Sequence, residues 1–88
     1  MTYTIRLSEK AQKELSRLSD QLLARVDNAI SLLSENPRHR GVLKLHGEKP
    51  ATYRVRVGDV RVLFQVIDAE QLVSIHKIEG RDKSYKKR

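Results

Sequence analysis

The hydrophobic pattern of the chain changes period twice. Tyr3, Ile5 and Leu7 alternate with Thr2, Thr4 and Arg6, which predicts a short strand over Thr2–Leu7. Ala11, Leu15 and Leu18 then recur at i, i+4 and i+7, the apolar stripe of a helix, with Ser8 placed to cap it and Glu9 suited to its first turn. Ser19-Asp20 offers a second cap, and Leu22, Leu23, Val26, Ala29, Ile30 and Leu33 mark a second amphipathic helix. That helix must stop near Asn36, because Pro37 disfavours helical geometry in the residue before it. After a basic loop over Arg38–Val42, the period returns to two. Strands are predicted over Val42–His46, on both sides of Gly58-Asp59 within Tyr53–Ile67, and over Leu72–Ile78. Gly47-Glu48-Lys49-Pro50 and Asp68-Ala69-Glu70-Gln71 read as turns, and Gly80 ends the last strand. The order implies an α+β fold: an N-terminal strand, a two-helix hairpin, then a three- to four-stranded antiparallel sheet with the helices on one face. Residues 1–88 form one domain in this reading.

The segment around Gly58-Asp59 can be paired residue by residue. A two-residue I′ or II′ turn places Val57 opposite Val60, Arg56 opposite Arg61, Val55 opposite Val62 and Arg54 opposite Leu63. Side chains alternate across a strand, so one face carries Tyr53, Val55, Val57, Val60, Val62, Phe64 and Val66. The other carries Thr52, Arg54, Arg56, Arg61, Leu63, Gln65 and Ile67. The first face is a core. The second sets two arginines directly opposite each other, an arrangement that destabilises a sheet unless an anion sits there. Pairing the last strand across the four-residue turn puts Val73 and Ile75 on the apolar face and His76 on the arginine face, opposite Leu63.

Charge sharpens this picture. The net charge is +7, and residues 1–37 balance to zero, so the whole excess lies in the half that holds the hairpin. A basic, strand-rich half fits a phosphate-bearing partner. There is no cysteine, no signal-peptide-like apolar run and no membrane-length apolar stretch, so a soluble cytoplasmic protein is expected. His39, His46 and His76 lack metal-ligand spacing, and neither a Gly-rich phosphate loop nor a GxSxG elbow is present. No metal or cofactor is expected.

The chemistry left to the residues is that of the basic face. Arg54, Arg56 and Arg61 can grip phosphate oxygens and stabilise the extra charge of a pentacoordinate phosphorus. His76 and the tail lysines Lys83, Lys86 and Lys87 add binding charge for RNA. Cleavage would also need proton transfer, and Tyr85 is a candidate base if nearby arginines favour its ionised form. The same arginines could serve a plain nucleic-acid-binding face, or pair with Asp59, Asp68, Glu79 or Asp82. Read from the residues, enzyme and non-enzymatic binder stand level.

Three stretches resemble the RelE/ParE toxin superfamily of toxin–antitoxin systems, and within it the RelE side. They are Leu43-Lys44-Leu45-His46-Gly47, the run from Tyr53 to Phe64, and Gly80-Arg81 with Tyr85 four residues beyond the arginine. The resemblance implies a metal-independent mRNA interferase that cleaves messenger RNA on the ribosome by attack of the 2′-oxygen on phosphorus, inhibiting translation. It implies site residues Arg54, Arg56, Arg61, Arg81 and Tyr85, the first three on the phosphate and the last two in acid–base roles. It also implies a cognate antitoxin, RelB-like or another small acidic protein, for which an apolar helix stripe left uncovered is the expected dock. Arginine stands at 54 and 56 where relatives often carry lysine. A guanidinium is a poor proton carrier, so any base role played by such a lysine passes to Tyr85. ParE-type members of the superfamily are gyrase inhibitors, the alternative function.

Overall fold

A computed structural model of the chain describes residues 2–80. Thr4–Leu7 forms strand β1, Glu9–Ser16 helix α1, Asp20–Glu35 helix α2, Val42–Lys44 strand β2, Tyr53–Val57 β3, Val60–Ile67 β4 and Leu72–Glu79 β5. A 3₁₀ turn over Asp68–Glu70 leads into β5. Both helices start at the expected caps. The Ala11 N–H donates to Ser8 Oγ at 3.0 Å, and the Leu22 N–H donates to Ser19 Oγ at 3.4 Å. α1 stops at Ser16, short of Leu18, yet the turn that follows still delivers Leu18 fully into the core. β2 ends at Lys44 rather than His46, although the Leu45 N–H continues the pairing to the Thr52 carbonyl at 2.8 Å.

The five strands form one sheet in the order β1-β5-β4-β3-β2. β2 to β5 are antiparallel neighbours, and β1 joins the far edge parallel to β5. The two helices lie in the long connection from β1 to β2, which carries the chain from one edge of the sheet to the other. Both pack on the valine face. Val55, Val57, Val60, Val62, Phe64, Val73, Ile75 and Ile78 form a single core with Ala11, Leu18, Val26 and Leu33 from the helical layer. Fully burying a side chain such as Phe64 is worth about 1.5–3 kcal/mol. That burial fixes register, because a one-residue slip would move every valine to solvent.

The hairpin register is the one obtained by counting, from Val57 opposite Val60 to Tyr53 opposite Phe64. At its turn φ is positive at Gly58 (59°) and not at Asp59, the pattern of a II′ turn. The β4–β5 ladder departs from the expected pairing. Between Leu63 and Phe64 the register shifts, so Lys77 rather than His76 lies opposite Leu63, Ile78 opposite Val62 and Glu79 opposite Arg61. His76 is the extra residue of this bulge. The cause is burial: strict alternation from Ile75 would send Lys77 and Glu79 into the core and Ile78 outward, and the bulge returns Ile78 to full burial.

The outer edge of β5 is covered by an unlike element. β1 pairs only as far as Leu7 with Ile75. Beyond that point Ser8 Oγ donates to the His76 carbonyl at 3.0 Å, and the Ile78 N–H donates to Glu14 Oε1 at 2.8 Å. The cap of α1 and a side chain from its second turn thus satisfy backbone groups that a longer β1 would have paired. Among the described residues, no helix is long and apolar enough to cross a membrane.

Candidate nucleic-acid interface

The sheet face opposite the helices carries the charge. Its hairpin end is the row Arg56–Arg61–Glu79, and the next row on the same face is Arg54–Leu63–Lys77. Arg56, Asp59, Arg61, Glu79 and Gly80 line a cleft of about 250 Å³. The Arg56–Arg61 opposition is offset by a carboxylate. Glu79 Oε1 lies 3.1 Å from Arg61 Nη2, and Glu79 Oε2 lies 2.8 Å from Lys77 Nζ. The hydrogen bond from Lys77 holds the Glu79 carboxyl below the usual carboxylate range against the opposing effect of partial burial, and the charges of Lys77, Arg61 and Lys10 act in the same direction. The same hydrogen bond raises the Lys77 ammonium above the usual lysine value. The arrangement can take up an anion between permanently charged guanidinium groups, beside one carboxylate already bridging two cations.

A second ionic group lies at the opposite end of β4. Arg38 meets Asp68 in a fork, Nη1 to Oδ1 at 3.0 Å and Nη2 to Oδ2 at 2.8 Å. The Tyr3 hydroxyl donates to Asp68 Oδ1 at 2.8 Å, and Arg38 Nε donates to the Tyr53 hydroxyl at 3.3 Å. Arg38 also lies over the Tyr53 ring, 5.5 Å from its centroid, and that ring stacks on Phe64 with centroids 5.8 Å apart. Hydrogen bonds from Arg38 and then Tyr3 depress the Asp68 carboxyl, while the bond to Asp68 raises the Tyr3 phenol and the Arg38 guanidinium. This group ties the start of the chain, the loop after α2 and the β4–β5 turn together.

The sequence matches the family model described as the ParE toxin of type II toxin-antitoxin system, parDE, over residues 5–85. The chain belongs to the RelE/ParE toxin superfamily. The toxin is 31% identical to toxin RelG of Mycobacterium tuberculosis over 88 residues, which is 99% of this chain and 100% of the relative. It is 27% identical to the putative toxin RelE1 of Methanocaldococcus jannaschii over 98% of each chain. Its fold matches the toxin of the archaeal RelE–RelB complex from Pyrococcus horikoshii with a TM-score of 0.80 at 29% identity, covering 94% of this chain and 99% of that one. It matches the RelBE2 toxin–antitoxin complex of M. tuberculosis with a TM-score of 0.81 at 30% identity, covering 92% of this chain and 100% of that one.

In this toxin the expected site residues separate into three groups. Arg56 and Arg61 line the cleft, and both are exposed. Arg54 shares their face but is half-buried, between Leu43 and Leu63 in the ladder, and does not line the cleft. His76, expected opposite Leu63, sits instead in the bulge and is absent from the cleft lining. Arg81, Lys83, Tyr85, Lys86 and Lys87 lie outside the described residues, which end at Gly80 on the cleft wall. Of the carboxylates that counting offered as arginine partners, Glu79 takes Arg61 and Asp68 takes Arg38. Lys77 was missed as a site residue. Its signal was present in the spacing of Ile75 and Ile78, which three residues cannot set on one face of a regular strand.

Proposed function

We propose that the toxin is a ribosome-dependent, metal-independent endoribonuclease that cleaves messenger RNA and so inhibits translation. The observation that carries this reading is the pair Arg56 and Arg61, opposed across the β3–β4 ladder and lining an open cleft together with Gly80. The 2′-hydroxyl of RNA attacks the adjacent phosphorus, Arg56 and Arg61 neutralise the charge that builds on the phosphoryl oxygens, and the 5′-oxygen leaves. Arg54 extends the positive face along the strand. Arg81 and Tyr85 follow Gly80 in sequence and supply acid–base roles, with Tyr85 as base. The RelG and RelE names of the relatives support this reading. The RelE–RelB complexes support a small acidic RelB-like antitoxin as partner, for which exposed Leu32 on α2 offers an apolar contact. A cytoplasmic site of action follows from the substrate.

Brief induction in cells, followed by mapping of transcript ends on ribosomes, tests the proposal. Cuts within ribosome-bound messages are expected; full growth arrest with intact transcripts would refute it. The ParE description of the matching family model supports a second reading, gyrase inhibition without RNA cleavage. Loss of normal supercoiling in arrested cells, with transcripts whole, would favour that reading.

A further inference from the structure

The hairpin arginines bind anions well and transfer protons badly, because a guanidinium stays protonated at any working pH. Among the described residues, strands β3, β4 and β5 of the open sheet face carry one amine free of that limit. Lys77 is the single lysine of β3, β4 and β5, and it reaches this face because of the bulge at His76. The ladder places it opposite Leu63, beside the Arg56–Arg61–Glu79 row. Glu79 joins the two cations, with Lys77 Nζ at 2.8 Å on one oxygen and Arg61 Nη2 at 3.1 Å on the other. An amine and an arginine of the cleft therefore stand one carboxylate apart. Both are open to solvent, with side-chain exposures of 36% and 47%. A phosphodiester offers charged oxygens much like those of a carboxylate, so a phosphate held by Arg61 brings its ester oxygens towards the amine.

We propose that Lys77, in place of the Arg81 guanidinium, is the general acid of the cleavage, giving its proton to the departing 5′-oxygen; this rests on the endoribonuclease reading above. The 2′ O–H bond breaks, its proton passes to the base, and the 2′-oxygen bonds to phosphorus. The bond from phosphorus to the 5′-oxygen breaks with its electron pair on oxygen, and a proton moves from the Lys77 ammonium to that oxygen. The products are a 2′,3′-cyclic phosphate and a 5′-hydroxyl. The neutral amine regains its proton from solvent, and no co-reactant is consumed. An ammonium is a much stronger acid than a ribose hydroxyl, so the transfer runs downhill. Glu79 is a positioning residue that keeps the amine charged and beside Arg61.

The test compares two linkages in messenger RNA bound to ribosomes. One has an ordinary phosphodiester at a mapped cut site, and the other has a 5′-bridging phosphorothiolate there, whose thiolate leaves without a proton. Lys77→Ala and Lys77→Arg are expected to cut the ordinary linkage about 10²–10⁴-fold more slowly than the unaltered toxin. Both are expected to cut the phosphorothiolate at close to the unaltered rate. Lys77→Arg keeps the positive charge against Glu79, so it separates proton donation from folding and from anion binding. Equal slowing on both linkages, or no slowing on the ordinary one, would overturn the role of Lys77 and leave the endoribonuclease reading standing. An unaltered toxin that cuts neither linkage would overturn both.

Discussion

β4 is flanked by two arginine–carboxylate pairs. Arg61 near its start meets Glu79, and Asp68 just past its end meets Arg38. Seven residues separate Arg61 from Asp68 along the strand direction, about 23 Å at ~3.3 Å per residue. The two arginines have nearly the same side-chain exposure, 47% for Arg61 and 43% for Arg38, so exposure does not tell their roles apart. Geometry does. Arg38 engages both oxygens of Asp68, gives Nε to the Tyr53 hydroxyl and lies over that ring. Arg61 meets Glu79 through one nitrogen at 3.1 Å and faces another arginine across a cleft. A charge enclosed in a fork is spent on structure. A charge that shares a carboxylate with a second cation and opposes a like charge can exchange that carboxylate for a substrate.

If the contrast holds, Arg61→Ala should lower RNA cleavage about 10²–10³-fold, the scale of removing one charge-stabilising donor. Its thermal melt should stay close to that of the unaltered toxin. A melt that drops along with activity would make Arg61 another structural arginine. Gly58→Ala attacks the turn that keeps Arg56 and Arg61 opposite. A left-handed φ costs a non-glycine residue about 1–2 kcal/mol. The added Cβ would also stand 3.3 Å from Arg25 Nη1. Denaturant titration should register that loss, and cleavage should fall with it. Arg38→Ala reverses the pattern of Arg61→Ala: a melting temperature lower by a few degrees at most, with cleavage by the folded protein unchanged.

The smallest effect is a dependence of stability on pH. Asp68 and Glu79 have folded-state carboxyls below their ordinary values, so their contribution is complete above the unfolded carboxylate range and is lost as pH falls through the depressed values. Tyr3 and Lys77 are raised, so theirs is complete below their ordinary values and is lost as pH rises through the raised ones. Chemical denaturation across pH should show a neutral plateau with a decline on each side. Arg38→Ala should flatten part of the acid decline, because Arg38 is the main cause of the Asp68 shift. An unchanged acid limb would mean that the fork contributes nothing to folding.

Much of this molecule could be read before its structure. The helix caps at Ser8 and Ser19, the stripe from Ala11 to Leu33 and the hairpin register from Tyr53 to Phe64 follow from local rules. Periodicity carries such features because each depends on neighbours a few residues apart. The parallel pairing of β1 with β5 was not legible, since nothing local in Thr4–Leu7 names a partner about 68 positions away. The Arg38–Asp68–Tyr3 group escaped for the same reason: its members are common surface residues that only the folded topology brings together. The bulge was half legible. Placing Val73 and Ile75 inside was right, but carrying the alternation past Ile75 gave His76 the position that Lys77 holds.

That bulge has a consequence for how such a face changes over generations. Substitution alters one position at a time, but a single inserted or deleted residue in a regular strand exchanges faces for every residue beyond it. Here the bulge absorbs such a change: removing His76 would leave a regular ladder with Lys77 opposite Leu63, Ile78 opposite Val62 and Glu79 opposite Arg61, as before. The codon for His76 can therefore be lost with the lysine and the carboxylate of the charged face kept in place. Because it lies beyond the last β1–β5 pair, where α1 side chains and not a strand cover the edge, its gain or loss leaves the parallel ladder intact. Lineages built on this sheet can thus change the length of β5 at this point while keeping the chemistry of the charged face.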